Sequence, residues 1–133
     1  MCRRRQSGKR RGDRGSLTLS YVIVVPVFLL ALMVVVQAAL WYLAREAALA
    51  AARQGADAAR AQGAPLSAGP STALSFARHD SSGYLLRPAA SSAGSGQNTV
   101  QITVTGRAPS LVPGLSLAVR QVARVPVERF TTP

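Results

Sequence analysis

Between Arg14 and Arg45 the chain carries no charged residue, and from Tyr21 to Val36 nearly every side chain is apolar, with Pro26 the one interruption. A helix rises about 1.5 Å per residue and a bilayer core is about 30 Å thick, so roughly 20 such residues suffice to cross it. The run is long enough for a single transmembrane helix. Tyr21 stands at one end, with Trp41 and Tyr42 at the other. The roughly 20 helical steps from Tyr21 to Trp41 cover about 30 Å, which places an amphipathic ring at each lipid–water boundary. Pro26 lacks an amide proton and crowds the carbonyl of Val22, so a kink is expected there, of a kind that membrane helices tolerate.

What precedes the run sets its direction. The formal net charge is +11, and Arg3, Arg4, Arg5, Lys9, Arg10, Arg11 and Arg14 are concentrated ahead of the apolar stretch, opposed there only by Asp13. Such a tail can release counterions from nucleic acid. Set against a long apolar helix, it instead has the form of the positive-inside rule, which holds the basic end in the cytoplasm beside anionic lipid. Membrane orientation is therefore favoured over nucleic-acid binding, and the C-terminal region is expected outside the cytoplasm. A cleaved signal peptide, with an apolar region of only about 7–15 residues, is the competing reading, and the small residues Ala38 and Ala39 supply a cleavage site for it. Cys2 is the one cysteine, so no intramolecular disulfide is available, and its place ahead of the apolar run is not that of a lipidated cysteine.

Beyond the membrane, "LAREAALAAARQGADAARAQ" from Leu43 to Gln62 is dominated by alanine, the strongest helix former, and should carry the membrane helix into water. Ala48, Ala52, Ala56 and Ala59 make a narrow face of small residues. That face suits either a closely approaching partner helix or the chain's own domain. Gly63 and Pro65 stop the helix, "APLSAGPS" reads as a turn, and Ser71 is placed to cap a short helix running to His79. "AASSAGSGQ", from Ala89 to Gln97, has the composition of a flexible loop. In "NTVQITVT" Val100, Ile102 and Val104 alternate with Thr99, Gln101, Thr103 and Thr105, the period of a half-buried strand. A second strand puts Leu115, Leu117, Val119, Ala123, Val125 and Val127 on one face and Arg120, Arg124 and Glu128 on the other, with Gln121 and Val122 out of pattern. The fold class is α+β: one transmembrane helix extended into a long Ala-rich helix, then a small antiparallel sheet. The corresponding segments are a basic cytoplasmic leader (1–15), the transmembrane and extended helix (16–62), a loop-rich region with a short helix (63–98) and a β-hairpin region (99–133).

The inventory for catalysis is poor. His79 is the sole histidine, beside Asp80, and no nucleophile pattern, metal-ligand spacing or phosphate-binding loop accompanies it. No enzymatic activity, metal or cofactor is expected.

A basic leader ending in glycine, the block "GSLTLSYVIVVP" and an Ala-rich helix followed by strands together resemble the TadE-like proteins, pilin-like components of tight-adherence (Flp) pilus systems. Gly15, Ser16, Tyr21 and Pro26 match that family's glycine, small residue, aromatic and proline, while "VQITVTGRAPSLVPG" and "ARVPVE" are similar to its closing strands. The resemblance implies a pilin-like fold and a pseudopilin or accessory subunit of the bacterial cell envelope. Such a subunit works by protein–protein assembly in pilus biogenesis or related secretion. It also implies partners: other pilin-like subunits, the pilus assembly platform and a prepilin peptidase cutting between Gly15 and Ser16, besides the lipid bilayer. One position departs from the pattern, since Ser20 stands where pilins of this kind carry a glutamate that neutralises a neighbour's new N-terminal amine. The reading that needs no resemblance is a single-pass membrane or secreted envelope protein of unrelated binding function.

Overall fold

The computed structural model describes residues 13–127, with side chains from residue 21 onward. Cys2, the leader cations Arg3, Arg4, Arg5, Lys9, Arg10 and Arg11, and Glu128 lie outside the described residues, as do the side chains of Arg14, Ser16 and Ser20. Among the described residues the order is α1 (Asp13–Arg60), α2 (Ala68–His79), β1 (Leu86–Ser91), β2 (Thr99–Ala108) and β3 (Leu117–Pro126). The chain divides into two compact units, Met1–Val35 and Val36–Pro133.

In the first unit the described structure is the beginning of α1. Pro26 lies inside that helix and does not end it. No charge or glycine interrupts the helix between Tyr21 and Val35, and Leu, Ala and Met sit there among the β-branched valines that a buried or lipid-embedded helix accommodates.

In the second unit a three-stranded antiparallel meander, ordered β1-β2-β3, packs its central strand under two helices. In β2 Val100, Ile102 and Val104 are buried as the alternation indicated, and Thr103, from the polar set, is buried as well. In β3 the buried positions are Val119 and Ala123, while Arg120 and Arg124 face outward as the pattern indicated and the out-of-pattern Val122 is exposed with them. The α1 face made by Ala44, Ala48, Ala51, Ala52, Ala56 and Ala59 is buried too, so the small-residue stripe serves the chain's own domain. Glycine sets how near the helices come. A Cβ at position 55 would lie 2.5 Å from the Gly69 carbonyl oxygen and 3.2 Å from the Ile102 Cγ2, so α1, α2 and β2 meet where no larger residue fits.

Three local expectations change. First, α2 begins at Ala68, and Ser71 does not cap it: the Ser71 hydroxyl donates to the Ala68 carbonyl at 3.0 Å from inside the first turn. Gly69 and Pro70, which suggested a turn, fall in that first turn, where a missing amide proton costs no intrahelical bond. Second, Ala89, Ala90 and Ser91 complete strand β1 and do not belong to a loop. Composition concealed this strand because it is a short edge with an irregularity. Its pairing with β2 slips between Leu86 and Ala89, where Arg87 takes a φ of 50° next to Pro88. Third, β2 continues past Thr105 through Gly106 and Arg107 to Ala108, pairing with Val119, Ala118 and Leu117. Gly106 permits it, since a Cβ there would meet Leu85 Cδ1 at 2.5 Å.

The Ala-rich helix ends at Arg60, slightly before the expected Gln62, and Gly63 follows at a φ of +79°, a left-handed turn residue of the kind that closes helices.

Candidate membrane and assembly surface

From Tyr21 to Val36 the large side chains of α1, apart from the half-buried Met33, are exposed around the helix, from 40% at Val36 to 69% at Val34. An amphipathic helix would show one covered stripe; a helix apolar all round is either the centre of a large core or a membrane span. Only 6% of its most apolar window is buried within the chain, so it is not a core helix of this protein. Withdrawing each such Leu, Val or Phe from water is worth about 1.5–3 kcal/mol, which makes an external apolar cover the dominant energetic demand on this segment.

One residue breaks the exposed run, which resumes at Ala38 and Ala39 and continues through Trp41, Tyr42 and Leu43. Gln37 is 8% exposed and every polar atom of its amide is engaged with the β2–β3 connection. Its Nε2 donates to the Pro109 carbonyl at 3.2 Å, and its Oε1 accepts from the Leu111 amide at 2.9 Å, with the Ser110 hydroxyl oxygen 3.4 Å away. One amide thus fastens α1 to a loop more than seventy residues away in sequence. Sequence reading passed over Gln37, although it is the sole amide in the uncharged run and that isolation was the available signal.

One turn further on, Trp41 and Tyr42 are 38% and 57% exposed, and the Arg45 guanidinium lies 5.9 Å from the Trp41 ring centroid. Tyr21 is 67% exposed in the first unit. Gly15, Ser16 and Ser20 fall on α1, in the part of the helix whose side chains lie outside the described residues. His79 closes α2 by donating from Nδ1 to the Ser75 carbonyl at 2.9 Å. No group of three or more His, Cys, Asp or Glu is gathered among the described residues.

These features define an α+β domain borne on a long helix whose first part is apolar on all sides and consistent with a single membrane anchor. The model of the TadE-like protein family matches residues 15–57, which makes that stretch, from the glycine block to the scaffold half of α1, TadE-like. The matched stretch contains Gly15, Ser16, Ser20, Tyr21, Pro26 and Gln37, and it ends before α2 and the sheet. No curated protein and no solved structure matches the chain.

Proposed function

We propose that the protein is a membrane-anchored pseudopilin or accessory subunit of a tight-adherence pilus or a related secretion apparatus, acting by protein–protein assembly and not by catalysis. The observation that carries this is the coincidence of the TadE-like match over residues 15–57 with a helix that exposes most of its large apolar side chains from Tyr21 to Val36 and, from Ala44 on, buries an alanine face. In this reading residues 1–15 are a cytoplasmic leader, α1 crosses the cytoplasmic membrane, and the domain from α2 onward faces the extracytoplasmic space. The expected partners are other pilin-like subunits, the assembly platform and a prepilin peptidase.

The bond between Gly15 and Ser16 is the proposed processing site. Ser20 bears on what happens next, because a serine at the place of the pilin glutamate gives a neighbour's new amine no counter-charge. The subunit would therefore act beside the filament, at its base or its initiation, more readily than as its repeating unit.

Two measurements test the reading. Deleting the gene in its host should reduce surface pili, adhesion or secretion; all three unaltered would contradict a role in assembly. The mass and N-terminal sequence of the membrane-extracted protein then separate the variants. A start at Ser16 means peptidase processing, a retained leader means a permanent signal anchor, and a start near Ala39 means a released envelope domain and defeats the proposal.

A further inference from the structure

Resting on the anchor reading above, we propose that the tip of the β2–β3 loop is a second membrane contact: Leu111, Val112 and Leu115 bed into the outer lipid–water boundary of the bilayer that α1 crosses.

The three side chains are 49%, 40% and 41% exposed, at the end of the domain where α1 leaves it. No charged residue occurs between Arg107 and Arg120, so the whole connection is free of the groups that resist an interface. The connection at the opposite end of β2, residues 92–98, holds only small and polar residues. The difference separates a wet end of the sheet from an apolar one.

The loop is also built to hold its shape. Val112, Pro113, Gly114 and Leu115 form a turn closed by the Leu115 amide on the Val112 carbonyl at 3.2 Å. Pro113 sits at the second position and Gly114, at a φ of +82°, at the third, as a type II turn requires. Ser110 braces it from within: its hydroxyl donates to the Val112 carbonyl at 3.0 Å and its Oγ accepts from the Val112 amide at 3.1 Å. Gln37 then ties Pro109 and Leu111 to α1. Backbone groups that would otherwise seek water are thereby satisfied inside the protein, which is what an apolar loop needs at a lipid boundary.

The occupant follows from continuity. Gln37 is a covered position with exposed apolar residues on both sides of it along the helix, Val36 before and Trp41, Tyr42 and Leu43 after, so the loop is fixed beside the apolar surface of α1 near its outer end. The about four residues from Gln37 to Trp41 rise roughly 6 Å, close to the depth of one headgroup layer. Trp41, Tyr42 and the loop tip then share that layer, the usual station of amphipathic rings.

Site-specific quenching in the full chain tests this. Cys2→Ser provides the background, and single cysteines at Val112→Cys, Leu115→Cys, Leu29→Cys and Ala93→Cys each carry an environment-sensitive fluorophore. The protein is reconstituted in phosphatidylethanolamine–phosphatidylglycerol vesicles containing lipid with a nitroxide on the acyl chain. The labels at 29, 112 and 115 should be blue-shifted and lose emission to the nitroxide lipid, while the label at 93 should lose emission only to aqueous iodide. Quenching at 29 with 112 and 115 behaving like 93 would overturn the loop contact and leave the anchor standing. Labels at 112 and 115 shielded from both quenchers would mean that protein covers the tip, which also overturns it. Absence of lipid quenching at 29 would remove the anchor and the loop contact together.

Discussion

The two halves of α1 are made of similarly helix-competent sequence and yet meet opposite environments. Before Gln37 the helix carries Val, Leu, Ile and Phe and leaves them open on all sides; after it, the helix carries alanine and buries it completely at Ala44, Ala48, Ala51, Ala52 and Ala56. Size, more than hydrophobicity, distinguishes them. Large side chains suit a fluid cover that adapts to any shape, whereas alanine and Gly55 admit a neighbouring helix and strand at fixed, short distance. Stability of the folded domain therefore depends on the second half, and the proposed residence in the membrane depends on the first.

The sharpest way to break that division is to truncate one large side chain on each side of it. Ile102→Ala, beneath α1 and α2, should cost about 2–5 kcal/mol, because the well-packed site cannot close over the cavity. Leu30→Ala, on the exposed belt, should leave domain stability within about 0.5 kcal/mol. Thermal melting of the detergent-solubilised chain followed through the sheet compares them, and equal losses would erase the distinction. Next in size, Leu29→Arg should disfavour insertion by about 3 kcal/mol and shift the protein out of the membrane fraction while its sheet melts unchanged. A coupled loss of sheet would show that the belt supports the fold.

Gln37→Leu probes the boundary itself. Removing the amide strands the Pro109 carbonyl and the Leu111 amide, at a cost of about 1–3 kcal/mol, and should speed hydrogen exchange at the Leu111 amide before any other position in the sheet. Smallest of all, Asp57→Asn removes the negative charge from the 3.0 Å pair with Arg60 on the helix surface and should change stability by about 0.5 kcal/mol or less, as measured by denaturant midpoint.

The sequence made some of this legible and hid the rest for physical reasons. A strand with a clean period of two, such as Val100 to Val104, declares its buried face, and so does an uncharged run as long as a bilayer is thick. The edge strand β1 declared nothing, because Pro88, the left-handed Arg87 and its small residues resemble loop composition. Close packing at Gly55 and Gly69 was equally hidden, since a glycine in a helix can mark weakness or contact, and only the neighbour decides. Gln37 was visible as an anomaly, but its partners lie on a loop that no local pattern connects to it. The TadE-like match, over residues 15–57, takes in the glycine block, the exposed apolar run and most of the alanine face of α1.

The most direct test of a helix that is anchor on one side of Gln37 and scaffold on the other is a topology measurement on the native chain in spheroplasts, combining alkaline carbonate extraction with protease added from outside. The account predicts that the protein stays with the membrane pellet and that external protease removes the domain beyond Trp41 while the basic leader and belt remain protected. Release of the intact chain by carbonate, or digestion of the domain only after lysis, would contradict it.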